Sequence, residues 1–414
     1  MVNMEWLEKY AELLVRIGIN VQKGQTIVLA VPVESADFAH LLQKRAYAAG
    51  AREVVLRWID EVAARITYDL ADDAIFDEFP EWSKQFFNGY ADKGAGFLSI
   101  VASDPEIMKG IDPKKISRSM KVRSKALEYF RMRQMSNKNT WCVASIPSAA
   151  WARKVFPGLS DEKAIEKLWE AIFKSVRIDQ ADPVQAWRDH QRALTQRMDF
   201  LHASAFTALR YRSGLGTDLT IRLPENYIWA GGGETCPEGY VFIANMPTEE
   251  VFTLPHREGA NGKIVSSLPL NHNGSLIEDF WFSFKDGLVV DYGAARGLDT
   301  LKEMLETDEG SRRLGEVALV PYDSPISNQR ILFYNTLFDE NASCHFALGK
   351  AYPSCVKGGD EMSPEQLLAA GVNDSLIHVD FMIGTADLSI TGIKADGSEV
   401  PVFIKGNFAP GIDG

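Results

Sequence analysis

His378 and Asp380 stand two residues apart in the run Ser375-Leu-Ile-His-Val-Asp-Phe-Met-Ile383. The run is apolar and reads as a β-strand, so alternation puts Ile377, Val379 and Phe381 on one face and His378, Asp380 and Met382 on the other. An imidazole and a carboxylate side by side, roughly 7 Å apart along the backbone, can grip one metal ion or two adjacent ones. The alternative is a core pair that satisfies itself by hydrogen bonding, since an ionisable group in a buried strand needs a partner. Other candidates accompany them. Glu340 and His345 are five apart in Phe338-Asp-Glu-Asn-Ala-Ser-Cys-His345. Glu316 opens Glu316-Val-Ala-Leu-Val320 straight after Gly315, and Glu249 and Glu250 follow the strand-like Tyr240-Val-Phe-Ile-Ala244 and a turn expected at Asn245-Met-Pro247. Each lies at the end of an apolar element, where a scaffold holds a group rigidly yet accessibly. Two imidazoles among several carboxylates suit Zn, Co, Mn or Mg rather than a soft thiolate site. Any one of these glutamates alone reads as a solvated surface carboxylate; the metal reading requires them to converge.

The rest of the composition narrows the field. At 414 residues the chain is long enough for two domains, or one large one, with a full core. A formal net charge of -12 argues against general nucleic-acid binding, which depends on neutralising phosphates. Residues 107–138 run the other way, with ten Lys/Arg against Asp112 and Glu128. That segment reads as a helix starting after Pro113 with a basic face, either solvated or set against acidic surface of a partner domain or subunit. Cys142, Cys236, Cys344 and Cys355 show no CxxC spacing and read as free thiols of a reducing compartment. Cys344 invites a nucleophile reading, but neighbours on an extended segment point oppositely, so it is expected to pack behind His345. The N-terminus lacks the apolar stretch of a signal peptide and no run is long enough to span a bilayer, so a cytoplasmic location and no membrane partner are expected.

Elements that must position these residues fall into two textures. Up to residue 203, helices (4–17, about 35–49) alternate with strands (Thr26–Val31, Glu53–Trp58, Phe97–Val101, Thr140–Ser145), followed by a long helical connector over 160–203. This is an α/β domain with a mostly parallel sheet. Its first βα junction, Val31-Pro-Val-Glu-Ser-Ala-Asp37, lacks the dinucleotide glycine fingerprint. From 204 to 414 strands shorten and turns multiply, giving a strand-rich α+β domain that carries all the suspected ligands. Asp396-Gly397 reads as the turn of a closing hairpin, and Gly231-Gly-Gly233 as a turn rather than an anion cradle, since no Gly-Lys-Ser/Thr follows.

Five stretches resemble the aminopeptidase T family of metallopeptidases: Asn245-Met-Pro-Thr-Glu-Glu-Val-Phe-Thr253, Asn273-Gly-Ser-Leu-Ile-Glu-Asp-Phe-Trp281, Arg313-Leu-Gly-Glu-Val-Ala-Leu319, Asn335-Thr-Leu-Phe-Asp-Glu-Asn-Ala342 and Leu376-Ile-His-Val-Asp-Phe-Met-Ile-Gly384. The resemblance covers essentially the whole chain and is strongest from 240 to 390. It implies a cocatalytic site for two divalent ions per subunit, zinc, cobalt or magnesium, on the C-terminal domain. Family ligands fall on Glu250, Glu316, His345, His378 and Asp380, with Glu316 as the bridge and Glu340 as a further ligand candidate. A family tyrosine implicated in catalysis falls on Tyr352. The resemblance also implies a homodimer enclosing an internal cavity, and the absence of an HExxH helix agrees with it.

The implied activity is release of N-terminal residues from peptides with a free amine by a metal-activated water. Tyr352 would donate to the developing oxyanion, a contribution on the order of 3 kcal/mol. Glu249 or Glu316 would carry the proton to the leaving amine. Blander roles are packing of Tyr352 beside Pro353 and a purely orienting Glu249. Residue types alone also allow another dimetal hydrolase, a deacetylase or phosphoesterase, or a non-catalytic binding module in which His and Asp only stabilise the core.

Overall fold

The computed structural model describes residues 3–272 and 275–412. The turn expected at Asn273-Gly274, and the start of the motif containing it, lie outside the described residues. The chain divides into two compact units, residues 1–188 with 233–247, and residues 189–232 with 248–414.

The first unit is built on a fully parallel five-stranded sheet. Thr26–Pro32 lies between Glu53–Ile59 and Gly96–Val101; Trp141–Ser145 follows, and Asn245–Met246 closes the far edge. Thr26–Pro32 is buried along almost its whole length, as a strand covered on both faces must be. The expected turn at Asn245–Pro247 is thus partly a strand, because Val143 N donates to Ala244 O and sets the parallel register. The first helix is α-helical over Met4–Leu13, capped by the Asn3 side chain, and widens into a π-helical turn over Leu14–Gly18. The helix expected at about 35–49 runs over Ala36–Ala48. The basic helix forms as Pro113–Ala126. Part of its charge is met within the same unit: Arg118 pairs with Asp73 and Asp77, and Lys115 Nζ donates to Tyr68 O.

The second unit holds two large antiparallel sheets around one core, with a two-stranded ribbon of Leu270–His272 and Ser275–Ile277. The larger has eight strands in the order Leu288–Gly293, Trp281–Lys285, Asn261–Val265, Asp218–Arg222, Ala208–Arg212, Ser389–Ile393, Glu399–Ile404 and Asn407–Phe408. The expected closing hairpin is there, with Gly397 at φ +82° in its turn, a conformation glycine adopts freely. The smaller sheet runs His378–Met382, His345–Gly349, Leu314–Leu319, Val251–Thr253 and Ala230–Gly231. Leu209, Tyr211, Ile264, Phe282 and Ile390 of the larger sheet share a core with Val251, Val317, Leu319, Phe346, Leu348 and Phe381 of the smaller. Sequence texture put the division at 203/204. In the structure the division falls at 188/189, inside the helix Pro183–Ser204, and 233–247 returns to the first unit through its pairing with Trp141–Ser145. No described helix is long and apolar enough to cross a membrane.

Candidate metal centre

Strand register lays out the site. Glu316 pairs with Ala347, and Ala347 with Asp380; Ala318 pairs with His345, and Gly349 with His378. Because Val317, Leu319, Phe346, Leu348 and Phe381 point into the core, alternation turns Glu316, His345, Ala347, His378 and Asp380 to the opposite face. Glu250 precedes Val251–Thr253 in phase with Phe252, which pairs with Ala318, and so joins that face. Glu316 is there because the register shifts between Leu314 and Glu316. Leu314 still packs in the core, and the bulge at Gly315 re-aims its successor. Glycine is needed at that bulge: a Cβ would stand 2.3 Å from Gly349 O and 2.6 Å from Lys350 O. Gly231 plays a related part, since a Cβ on it would lie 2.7 Å from Glu250 O. The first glycine of the triplet therefore serves close strand approach beside Glu250.

Two trios of donor atoms result, Glu250–Glu316–His345 and Glu316–His378–Asp380, each set within 4.8 Å of one another. His345 Nε2 lies 3.1 Å from Glu250 Oε2 and 3.6 Å from Glu316 Oε1. His378 Nε2 lies 3.4 Å from Glu316 Oε2 and 3.3 Å from Asp380 Oδ1. Glu316 thus turns one oxygen to each histidine. Both imidazoles are held by the other nitrogen: His345 Nδ1 is 3.0 Å from Glu340 O and from Ser343 O, and His378 Nδ1 is 2.7 Å from Lys350 O. A carbonyl only accepts, so each Nδ1 carries the proton and each Nε2 faces the carboxylates, the orientation of a metal-ligating histidine.

The electrostatics favour positive charge. Burial lowers the pKa of His345 and of His378, yet hydrogen bonds and charge from Glu250 and Glu316 at the first, and from Asp380 at the second, push both well above the usual imidazole range. Burial would raise Glu316, but the two imidazoles at its oxygens outweigh it and bring its pKa to about 2. Glu250 Oε2 is buried with no hydrogen-bond partner of good geometry. Three carboxylates and two pre-oriented imidazoles fit hard to borderline divalent cations.

The remaining expected residues are placed around this core. The Tyr352 ring is 5.1 Å from that of His378 and 5.9 Å from that of Phe252. Nearby His378 lowers the Tyr352 pKa, but burial together with Glu316, Asp380 and Glu340 raises it more, so the phenol keeps its proton. Burial pushes Glu340 well above the carboxylate range, and Asp380 and Glu250 push it further, which sets its carboxyl in the same acidic field although it belongs to neither trio. Glu249 is not brought into either trio. It is buried, with Oε2 3.6 Å from His190 Nε2, while its N–H donates to Asn341 Oδ1 at 2.8 Å. Cys344 packs behind His345 as expected, its Sγ beside Val320 and its thiol pKa pushed up to about 12 by burial. All four cysteines are buried, and none forms a disulfide. His190, Asn341 and Ala347 had no signal in the sequence: a histidine in a long polar helix, an asparagine and a small apolar residue are common everywhere.

The comparisons with known proteins agree with the geometry. The thermophilic metalloprotease (M29) family profile matches residues 3–408. The chain belongs to that family. Its similarity to other M29 proteins is high: it is 49% identical over 403 residues to aminopeptidase AmpS of Bacillus subtilis, covering 97% of this chain and 98% of that one. It is 40% identical over 404 residues to aminopeptidase T of Thermus aquaticus, covering 98% of each. The solved structure of wild-type AmpT from Thermus thermophilus superposes with a TM-score of 0.92 at 38% identity, covering 98% of this chain and 99% of that one. This M29 chain shares its fold alone with 2,5-dihydroxypyridine dioxygenase from Pseudomonas putida, at a TM-score of 0.55 and 12% identity, over 100% of both chains.

Proposed function

We propose that this M29 metalloaminopeptidase holds two divalent ions, one among Glu250, His345 and Glu316 and the other among His378, Asp380 and Glu316. It uses them to release N-terminal residues from peptides. The observation that carries the reading is Glu316, with its two oxygens turned to two different histidines. Divalent ions at such a site supply Lewis-acid polarisation and lower the pKa of water. The chain's own residues supply the rest. Tyr352, beside His378, donates its O–H where negative charge develops on the substrate. The carbonyls of Glu340, Ser343 and Lys350 fix the imidazoles in their ligating orientation. Glu340, in the same acidic field but in neither trio, is a further ligand candidate. Glu249, its carboxylate 3.6 Å from His190 and its backbone N–H donating to Asn341, orients the neighbouring Glu250. The working assembly is a homodimer, as the family resemblance implies, which light scattering checks.

Hydrolysis of Leu-p-nitroanilide, lost on chelation and restored by zinc, cobalt or magnesium, tests the reading. The N-acetylated substrate should be inert, because a free amine defines an aminopeptidase. Turnover of a phosphoester or of the acetylated compound in its place would overturn it. The relatives' aminopeptidase names favour this reading over a deacetylase, phosphoesterase or passive binding module.

A further inference from the structure

The strand His378–Met382 ends its sheet, and among the described residues its strand partner is His345–Gly349 alone. Two flanking bonds fix its phase: Ile383 N donates to Cys344 O, and Lys350 N to Ile377 O. Odd-numbered residues therefore turn their peptide groups inward, and even-numbered ones outward, since an antiparallel ladder alternates. His378 and Asp380 thus present N–H and C=O to the open edge while their side chains face the metal centre. At Met382 the outward carbonyl is taken by Ser267 N at 2.8 Å, so the open stretch is His378–Asp380.

Exposure points the same way. Among the five proposed ligands, side-chain exposure is 1% at His345, 7% at Glu316, 10% at Glu250, 14% at Asp380 and 25% at His378, highest for the two on the edge strand. The centre opens over its edge strand. Leu376, just before that strand, is exposed as well.

We propose that the peptide substrate docks as an added strand along the backbone of His378–Asp380, its amino end at the metal centre and the residues beyond the scissile bond running along the edge. An unpaired edge is a ready template for an extended chain, and main-chain pairing carries affinity without reading side chains. That suits an enzyme that meets a new residue after each cleavage. Because side chains and peptide groups alternate along a strand, every second substrate amide bonds to the edge and its neighbours point away. The inference rests on the aminopeptidase reading and adds to it how the substrate is held.

The test is an N-methyl scan of the tetrapeptide Leu-Ala-Ala-Ala on the full chain. Methylating the backbone nitrogen of the middle alanine, or that of the last alanine, leaves the scissile amide intact. One of the two changes should raise KM about tenfold or more, the worth of one lost hydrogen bond, and the other should change it less than about twofold. Equal tolerance or equal loss at both positions overturns the proposal. A second arm measures amide hydrogen exchange with the tetrapeptide whose scissile amide is reduced to a methylene-amine. The amides of His378 and Asp380 should gain protection while that of Val379, already turned inward, does not change; no protection at His378 and Asp380 overturns the proposal. Failure to cleave unmodified Leu-Ala-Ala-Ala at all would strike the aminopeptidase reading, and the exchange arm would still decide the docking. Metal-dependent cleavage with a flat scan would strike the docking alone.

Discussion

Glu316 and Asp380 face each other across a single alanine. Glu316, Ala347 and Asp380 form one row over three adjacent strands, and Ala347 is fully buried between the two acids. Two carboxylates two strands apart stand roughly 9–10 Å apart at the backbone, which leaves a gap that their side chains close from either side. The small residue keeps that gap open.

Replacing Ala347 with Leu should fill it. The added side chain would project on the ligand face and leave the core packing of Phe346 and Leu348 in place. The expected result is loss of bound metal and activity, with overpacking costing about 1–3 kcal/mol. Elemental analysis and urea unfolding on the same sample separate the two effects. An Ala347→Leu protein with its full metal complement would show that the row does not frame the site.

Tyr352→Phe removes an O–H beside His378 without removing a ligand. The expected outcome is a fall in kcat of roughly 10²–10³, the usual effect of deleting one oxyanion donor. KM and metal content should hold. A variant with unchanged kcat would reduce Tyr352 to packing against Phe252 and His378.

Glu249→Gln tests the orienting role. Its carboxylate sits with His190 and its backbone with Asn341, away from both donor trios. The variant should keep its metal content and lose less than about tenfold in kcat, below the range of a general acid or base. A drop of several hundredfold with intact metal would instead make Glu249 the carrier of the proton to the leaving amine.

Asp339, buried next to Glu340, accepts N–H bonds from Phe333 at 2.8 Å and Asn335 at 3.1 Å. Burial raises its pKa from 3.8 to about 7, despite these bonds. Between these values the folded protein binds a proton that the unfolded chain has released. Its stabilising contribution is therefore fully present below about pH 4 and is lost as pH rises through about 7, by at most about 1.4 kcal/mol per unit. Urea midpoints from pH 4 to 8 should show this slope in the native protein and a reduced one in Asp339→Asn. Parallel profiles would mean that Asp339 is not protonated in the fold.

Much of this was legible in the sequence because strands obey a period of two. The phase of His378 and Asp380, the placing of Cys344 behind His345 and the parallel sheet of the first unit all follow from alternation and from helices between strands. The convergence of Glu250, Glu316, His345, His378 and Asp380 was implied by family resemblance, since register between distant strands is a tertiary fact. Other features had no local signal. The bulge at Gly315 shows only once Gly349 and Lys350 are seen packed against it. By sequence texture His190 falls in the first half, yet it lies in the second unit beside Glu249. The strand at Asn245–Met246 was hidden by a turn-like Asn-Met-Pro and exists through pairing with Trp141–Ser145.

Anomalous diffraction from crystals grown with zinc is the most direct test of a pair of ions bridged by Glu316. Two peaks roughly 3.5–4 Å apart are expected, one beside His345 Nε2 and Glu316 Oε1, the other beside His378 Nε2 and Glu316 Oε2. A single peak, or two peaks that do not share Glu316, would contradict a bridged pair.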